Sequence, residues 1–288
     1  MCEFCTQHGE GKQWYLQMKN YSNELLHAHL TPDQMDATGF DVRYEWVDNF
    51  IKGFTVPAYR GRYPEQLPAE AVASQTPDTP LTAEQALAHQ KLRHFGQVIP
   101  IEEVEKVLGM VDSIVRMPCG CRYIQTGLTD QRYCFGLGLD TLQILGKYPD
   151  SSASLEVLGK DEAMKVIRKL DEEGLMHSVW TGVTPYVIGV CNCDTDCGAY
   201  RSTIRNRTGA IFFRAEYLCQ VDVDQCSGCK ECMRQCQFGA MFYSSALGKV
   251  SIEPGHCYGC GVCRAACPQN AISLIPRAAS PIAANVWL

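Results

Sequence analysis

No apolar run in this 288-residue chain reaches the length that spans a bilayer, so a direct membrane span is not expected. The opening residues Met1-Cys2-Glu3-Phe4-Cys5 show no basic n-region, apolar h-region or twin arginine, which predicts a cytoplasmic location. Positive charge is in deficit. Lys and Arg number 26 against 32 Asp and Glu, a formal net charge of −6, and nucleic acid is not an expected partner. Neither a G-x-G-x-x-G turn after a strand nor a G-x-x-x-x-G-K-[ST] loop occurs, and no Ser–His–Asp or paired-carboxylate pattern marks an organic substrate site. What is abundant is cysteine, with 17 residues. In an unexported chain that number points to thiols kept reduced and bound to metal rather than to disulfides. Such chemistry suits an anaerobic or strongly reducing cytoplasm.

Eight of the cysteines form two runs, Cys226-x2-Cys229-x2-Cys232-x3-Cys236 and Cys257-x2-Cys260-x2-Cys263-x3-Cys267-Pro268. Each close triplet can present three thiolates to one face of a metal cluster, while the last cysteine lies a helical turn further on. Shifting the sequence by 31 residues lays Cys226 on Cys257, Cys236 on Cys267, Ala240 on Ala271 and Val221 on Ile252. The x2-x2-x3 spacing is a poor match to the paired C-x2-C of zinc ribbons.

This repeat resembles the dicluster ferredoxins of bacteria over roughly 219–276. The resemblance implies a small α+β unit with a short helix after each triplet, hairpin strands, and two [4Fe–4S] clusters. It implies ligands Cys226, Cys229, Cys232 and Cys267 for the first cluster, and Cys257, Cys260, Cys263 and Cys236 for the second. Gly228, Gly259 and Gly261 suit a loop whose N–H groups point at cluster sulfurs, because glycine accepts the dihedrals needed. Gln237 departs from the pattern: it stands where proline is usual and where the second run has Pro268.

Nine cysteines lie outside the repeat. Cys119-Gly120-Cys121-Arg122 and Cys134 form one group, and Cys191-Asn192-Cys193-x3-Cys197 another. Residues 113–118 and 184–190 read as strands delivering these pairs. Between them Ala163, Ile167 and Leu170 predict a helix stopped by Gly174, followed by a strand over 175–180. Helix, glycine and strand resemble a winged-helix fragment, or else an ordinary α/β packing unit. The C-x-C-R segment, the Glu172-Glu173-Gly174-Leu175 helix end and the C-N-C segment are similar to those of poorly characterised iron–sulfur proteins of anaerobes, over roughly 115–270. That likeness implies a third iron–sulfur cluster at Cys119, Cys121, Cys134, Cys191, Cys193 and Cys197. A structural zinc site and buried free thiols are the alternatives.

Cys2-x2-Cys5-x2-His8 offers a further ligand set, completed by Cys219 or a spare central cysteine, for a fourth cluster or a zinc ion. It is no c-type haem site, since Thr6 follows Cys5. The alternative is a pair of free reactive thiols. Arg201, Arg205, Arg207 and Arg214 form a basic patch that reads as a solvated face or as paired with nearby carboxylates, or else as a receiver for the phosphate group of a flavin or an acidic partner.

The expected architecture is α+β. An N-terminal helical segment covers 1–60, a linker or strap 61–80, a central α/β cysteine-rich domain 81–215, a ferredoxin-like domain 216–276 and a tail 277–288. The expected function is electron transfer by iron–sulfur clusters, as the wiring subunit of a larger cytoplasmic, anaerobic oxidoreductase with redox-protein partners. Two other classes stay open. One is a redox enzyme whose central cysteine site binds substrate beside Arg122, Tyr123 and His177. The other is an iron–sulfur redox sensor.

Overall fold

The computed structural model describes residues 13–17, 21, 95–119, 122, 128, 131–137, 155–181, 187–201, 204 and 212–287. The N-terminal helical segment over 1–60 lies mostly outside them, and the 61–80 strap and the set Cys2, Cys5 and His8 lie wholly outside. Trp14–Leu16 is a single 3-10 turn with Trp14 and Tyr15 fully buried.

Apolar spacing accounts for the two long helices. On α1 (Ile101–Gly109) the buried face is Val104, Val107 and Leu108; on α2 (Lys160–Glu172) it is Ala163, Met164, Ile167 and Leu170. Helix α2 opens with Asp161 and Glu162 at its positive dipole end. It closes through Gly174, whose φ of +89° lets Leu175 N–H reach Leu170 O at 2.9 Å and Gly174 N–H reach Asp171 O at 2.9 Å.

Seven strands form one sheet in the order β4-β2-β3-β6-β5-β1-β7. They are β1 (Gly96–Ile99), β2 (Ile114–Met117), β3 (Cys134–Leu137), β4 (Glu156–Val157), β5 (Met176–Thr181), β6 (Val187–Cys193) and β7 (Phe212–Phe213). All neighbours are antiparallel except β1 and β7. The segment resembling a winged-helix fragment, α2 with Gly174 and β5, is thus part of a larger sheet. Side chains alternate between the sheet's faces. Val179 and Val190 pack with the buried residues of α1 and α2. Val98, Met176, Trp180 and Cys193 pack instead with Tyr258, Cys260 and Val262 of the C-terminal unit. The sheet therefore lies between the helices and the cysteine repeat.

The C-terminal unit pairs β8 (Tyr217–Val221) with β11 (Ile272–Pro276) and β9 (Met241–Ser244) with β10 (Lys249–Ile252), both antiparallel. Short helices α3 (Glu231–Gln235) and α4 (Val262–Ala265) carry the third cysteine of each triplet, Cys232 and Cys263, rather than following it. The fold is a mixed α+β one with a ferredoxin-like C-terminal unit.

Helix α1 ties the two parts together. Glu102 pairs with the Arg264 guanidinium at 2.6 and 2.8 Å, and Glu103 accepts a 2.8 Å bond from Tyr217 O–H. The hydrogen bonds from Arg264 hold the Glu102 carboxyl below its ordinary range. A depressed carboxylate stabilises the fold above its unfolded value, about 4.3, and that contribution disappears as pH falls through the folded one. Half exposed, the pair contributes less than about 1 kcal/mol. Glu102→Gln is expected to lower the melting temperature slightly at neutral pH and to flatten its fall in acid, measured by thermal denaturation across pH.

Candidate metal centres

The two triplets sit on loops of the same shape. Gly228 and Gly259 have φ of +72° and +73°, and Lys230 and Gly261 have +69° and +84°, so the 31-residue repeat extends to the backbone. Each Cys-x-Gly loop presses on a strand or turn behind it. A Cβ on Gly228 would stand 2.1 Å from Gly248 O, and one on Gly259 would stand 2.0 Å from Tyr217 O. Only glycine allows that approach, and it turns the loop N–H groups toward the thiols. Gly259 N–H serves Cys257 and Val262 N–H serves Cys260.

Folding brings the eight thiols into two groups that exchange their last cysteines. Cys232 lies in the field of Cys267, Cys229 and Cys226, and burial with these neighbours pushes its thiol up to about 11. Cys226, Cys229, Cys232 and Cys267 line one small cavity together with Val221, Val250 and Ile272. Cys263 lies in the field of Cys260, Cys257 and Cys236. Burial raises the Cys260 thiol well above its ordinary value. Thiols so packed release their protons when a metal takes them. Four thiols at each group are the donor set that a cube takes, and at the second group Gly259 and Val262 add N–H donors. The first group reaches solvent through Cys229, with Cys226 and Cys232 buried, whereas Cys257, Cys260 and Cys263 are all buried and Cys260 packs against sheet residues.

Cys219, one candidate to complete the set of Cys2, Cys5 and His8, lies beside the second group. Its Sγ is 3.5 Å from Cys263 Sγ and its N–H is 3.5 Å from Cys257 Sγ. It occupies β8 opposite Leu274, and the ladder of β8 with β11 carries it there. Nothing local in the sequence announced that pairing.

Strand register assembles the central group. Cys134 stands directly opposite Cys191, which stands opposite Ser178, and Cys193 stands opposite Met176. Cys191 and Cys193 are within β6 rather than beyond its end. The Cys134 and Cys191 Sγ atoms are 3.5 Å apart. Cys119 hydrogen-bonds Cys134, and that bond together with burial pushes the Cys119 thiol far up, with Cys197 also in range. Cys193 is bonded to Cys197 and feels Cys191 and Cys119, and it is raised in the same way. Five of the six expected thiols therefore converge; Cys121 lies outside the described residues. Among the described residues no three His, Cys, Asp or Glu are arranged to hold a single ion, and this is as true of the eight repeat cysteines as of the central five.

Two of the three candidate neighbours of this group are described. Arg122 is buried, its guanidinium 2.9 Å from the Asp194 carboxylate and 4.1 Å from the Tyr133 ring centre. His177 is fully buried, with Nδ1 2.6 Å from Asn192 Oδ1 and Nε2 3.2 Å from Asp171 Oδ1. Both ring nitrogens are engaged, and through Asn192 the imidazole fixes the strand between Cys191 and Cys193. Tyr123 lies outside the described residues. A cleft near Tyr133 is lined by Arg116, Arg132 and Lys169, but both arginines pair with Glu156. Of the basic patch, Arg201 and Arg214 are among the described residues. Arg201 pairs with Asp196 on the surface, Arg214 is buried, and Arg205 and Arg207 lie outside the described residues.

Gln237 explains its own departure from proline. Its side-chain amide donates to Gly174 O and, at 3.5 Å, to Cys193 O, while its backbone carbonyl accepts from Tyr200 O–H. It joins the loop after Cys236 to the central strand. Tyr200→Phe should remove one such bond at a cost of about 1 kcal/mol, seen as a lower denaturation midpoint with unchanged slope.

Comparison with known proteins places the repeat. Residues 225–272 match the 4Fe-4S dicluster domain. Two [4Fe–4S] clusters are accordingly the cofactors of this dicluster domain. The chain is 37% identical over 59 residues to an archaeal-type glutamate synthase [NADPH] of Thermotoga maritima, covering 20% of this chain and 12% of that one. It is 30% identical over 79 residues to an indolepyruvate oxidoreductase subunit, IorA, of Pyrococcus abyssi, covering 27% and 12%. It is 43% identical over 49 residues to a component of the ion-translocating oxidoreductase complex of Methanosarcina acetivorans, covering 17% and 18%. The chain thus spans less than a fifth of each of these relatives. No solved structure matches. Among the described residues no helix is long and apolar enough to cross a membrane.

Proposed function

We propose that the chain is an electron-wiring subunit of a larger cytoplasmic, anaerobic oxidoreductase, with 216–276 as its dicluster unit and 81–215 as the central domain. In this reading Cys226, Cys229, Cys232 and Cys267 hold one cube, and Cys257, Cys260, Cys263 and Cys236 hold the other. A third iron–sulfur cluster takes its ligands from Cys119, Cys121, Cys134, Cys191, Cys193 and Cys197. Each bound cluster supplies one-electron exchange at a potential tuned by charge, hydrogen bonds and exposure.

The packing of the three thiol groups in series carries the reading. Cys229 opens to solvent at one end, and Cys260 shares an apolar cluster with Cys193 and Cys197 at the other. Phe238 stacks on Tyr258 at 4.1 Å between them, and Gln237 bonds across the junction. A redox partner would dock at the Cys229 edge, and the central domain would meet the rest of the complex. The test is an anaerobic reductive titration followed by electron paramagnetic resonance. Stepwise, reversible uptake of one electron per cluster, with full recovery on reoxidation, is the expected result. Reduction that destroys the clusters, or that proceeds only with an organic substrate present, would overturn the electron-wiring role.

A further inference from the structure

A fifth thiol stands at the second cysteine group. Cys219 is 6% exposed on β8, with its Sγ 3.5 Å from Cys263 Sγ and its backbone N–H 3.5 Å from Cys257 Sγ. Strand and cysteine loop are tied together. Arg277 donates from one nitrogen, Nη2, to Tyr217 O at 3.1 Å and to Cys257 O at 2.9 Å, so it clamps β8 to the loop. Arg214 Nη1 also reaches Cys257 O, at 3.4 Å. The ladder with β11 fixes the strand along its length, with Cys219 opposite Leu274.

The internal repeat supplies a comparison. The 31-residue shift that lays Cys226 on Cys257 and Cys232 on Cys263 also lays Cys219 on Val250. Val250 is 1% exposed and lines the cavity of Cys226, Cys229, Cys232 and Cys267. The two groups are thus built on one plan, with an apolar wall residue at the first and a thiol at the second. Packing alone requires no sulfur there. A buried cysteine packs as a small hydrophobe, and valine fills the same place in the first repeat. What the thiol adds is a soft donor that the iron of a cluster accepts.

We propose that Cys219 is a reserve ligand of the second cube, placed to take the iron that Cys263 holds when that bond is lost. The exchange swaps one thiolate for another. The Cys219 sulfur bonds the iron, the Cys263 sulfur leaves it, and the proton released by Cys219 passes to the departing Cys263 thiolate. No electron moves, so the cube keeps its oxidation state. The first cube has no such reserve, because Val250 stands at the matching position. The proposal rests on the ligand assignment given under Proposed function for the second cube, and it is independent of the third cluster.

The test counts iron and acid-labile sulfide in the anaerobically purified full chain and its variants, with paramagnetic resonance of the reduced protein. Cys219→Val, which copies the first repeat, should keep full iron. Cys263→Ala should also keep full iron, with the signal of one cube altered. The double variant Cys219→Val with Cys263→Ala should lose about four irons. Cys232→Ala, the same ligand in the first repeat, should lose about four on its own. Loss of about four irons from Cys263→Ala itself would overturn the proposal and leave the ligand assignment intact. Full iron in the double variant, or loss from Cys219→Val alone, would overturn the assignment beneath it. Should Cys263→Ala fail to fold, Cys232→Ala combined with Val250→Cys decides. A thiol at that position should restore about four irons to the first group, and no gain would overturn the proposal.

Discussion

Gly259→Ala is expected to destabilise the chain by about 2–4 kcal/mol and to strip the second cube. Two costs add there. The φ of +73° is unfavourable for any side chain, and the new Cβ would lie 2.0 Å from Tyr217 O and 3.0 Å from the Ala215 Cβ. Tyr217 belongs to β8, whose ladder with β11 resists moving aside. The loop must therefore lift, and with it the N–H groups that serve Cys257 and Cys260. Gly239→Ala is the control. Its φ of +66° is equally left-handed, but nothing lies within 4 Å of the new Cβ. That variant should cost only about 1–2 kcal/mol and keep its iron. Denaturation under anaerobic conditions together with iron analysis separates the two. Equal losses in both variants would show that the close approach to β8 is immaterial.

Cys193→Ala and Cys232→Ala are expected to lower iron by about four each, and the double variant by about eight, if each removes one cube. Cys232 belongs to the first group and Cys193 to the central one, so the spectra lost should differ. Cys193 is 2% exposed and packs with Met176 and Trp180. Alanine leaves a small cavity there, so the variant should still fold. Full iron in folded Cys193→Ala would mean that the central thiols are small buried hydrophobes rather than ligands.

Cysteine spacing alone pointed to the dicluster unit, because three ligands on one short loop are a local feature. The helix over 160–172 was legible for a similar reason: apolar spacing and Gly174 act within a few residues. The central group was visible only as two candidate segments. Its assembly depends on the register that sets Cys134 against Cys191, 57 residues away, and ladder register is a property of the whole sheet. Cys219, Arg214 and Arg277 show the same limit. Each was legible as a residue type but not as a neighbour of Cys257, because that adjacency depends on β8, β11 and the returning C-terminal segment. Gln237 stood out as a missing proline, yet its partners Gly174, Cys193 and Tyr200 are supplied by the central sheet and the turn after it.

Iron, acid-labile sulfide and zinc counted per anaerobically purified chain test the central claim most directly. Three clusters in series require at least about twelve irons with matching sulfide and no zinc. About eight irons, with or without one zinc, would contradict a third cluster and leave the central cysteines a structural feature beside an elaborated ferredoxin.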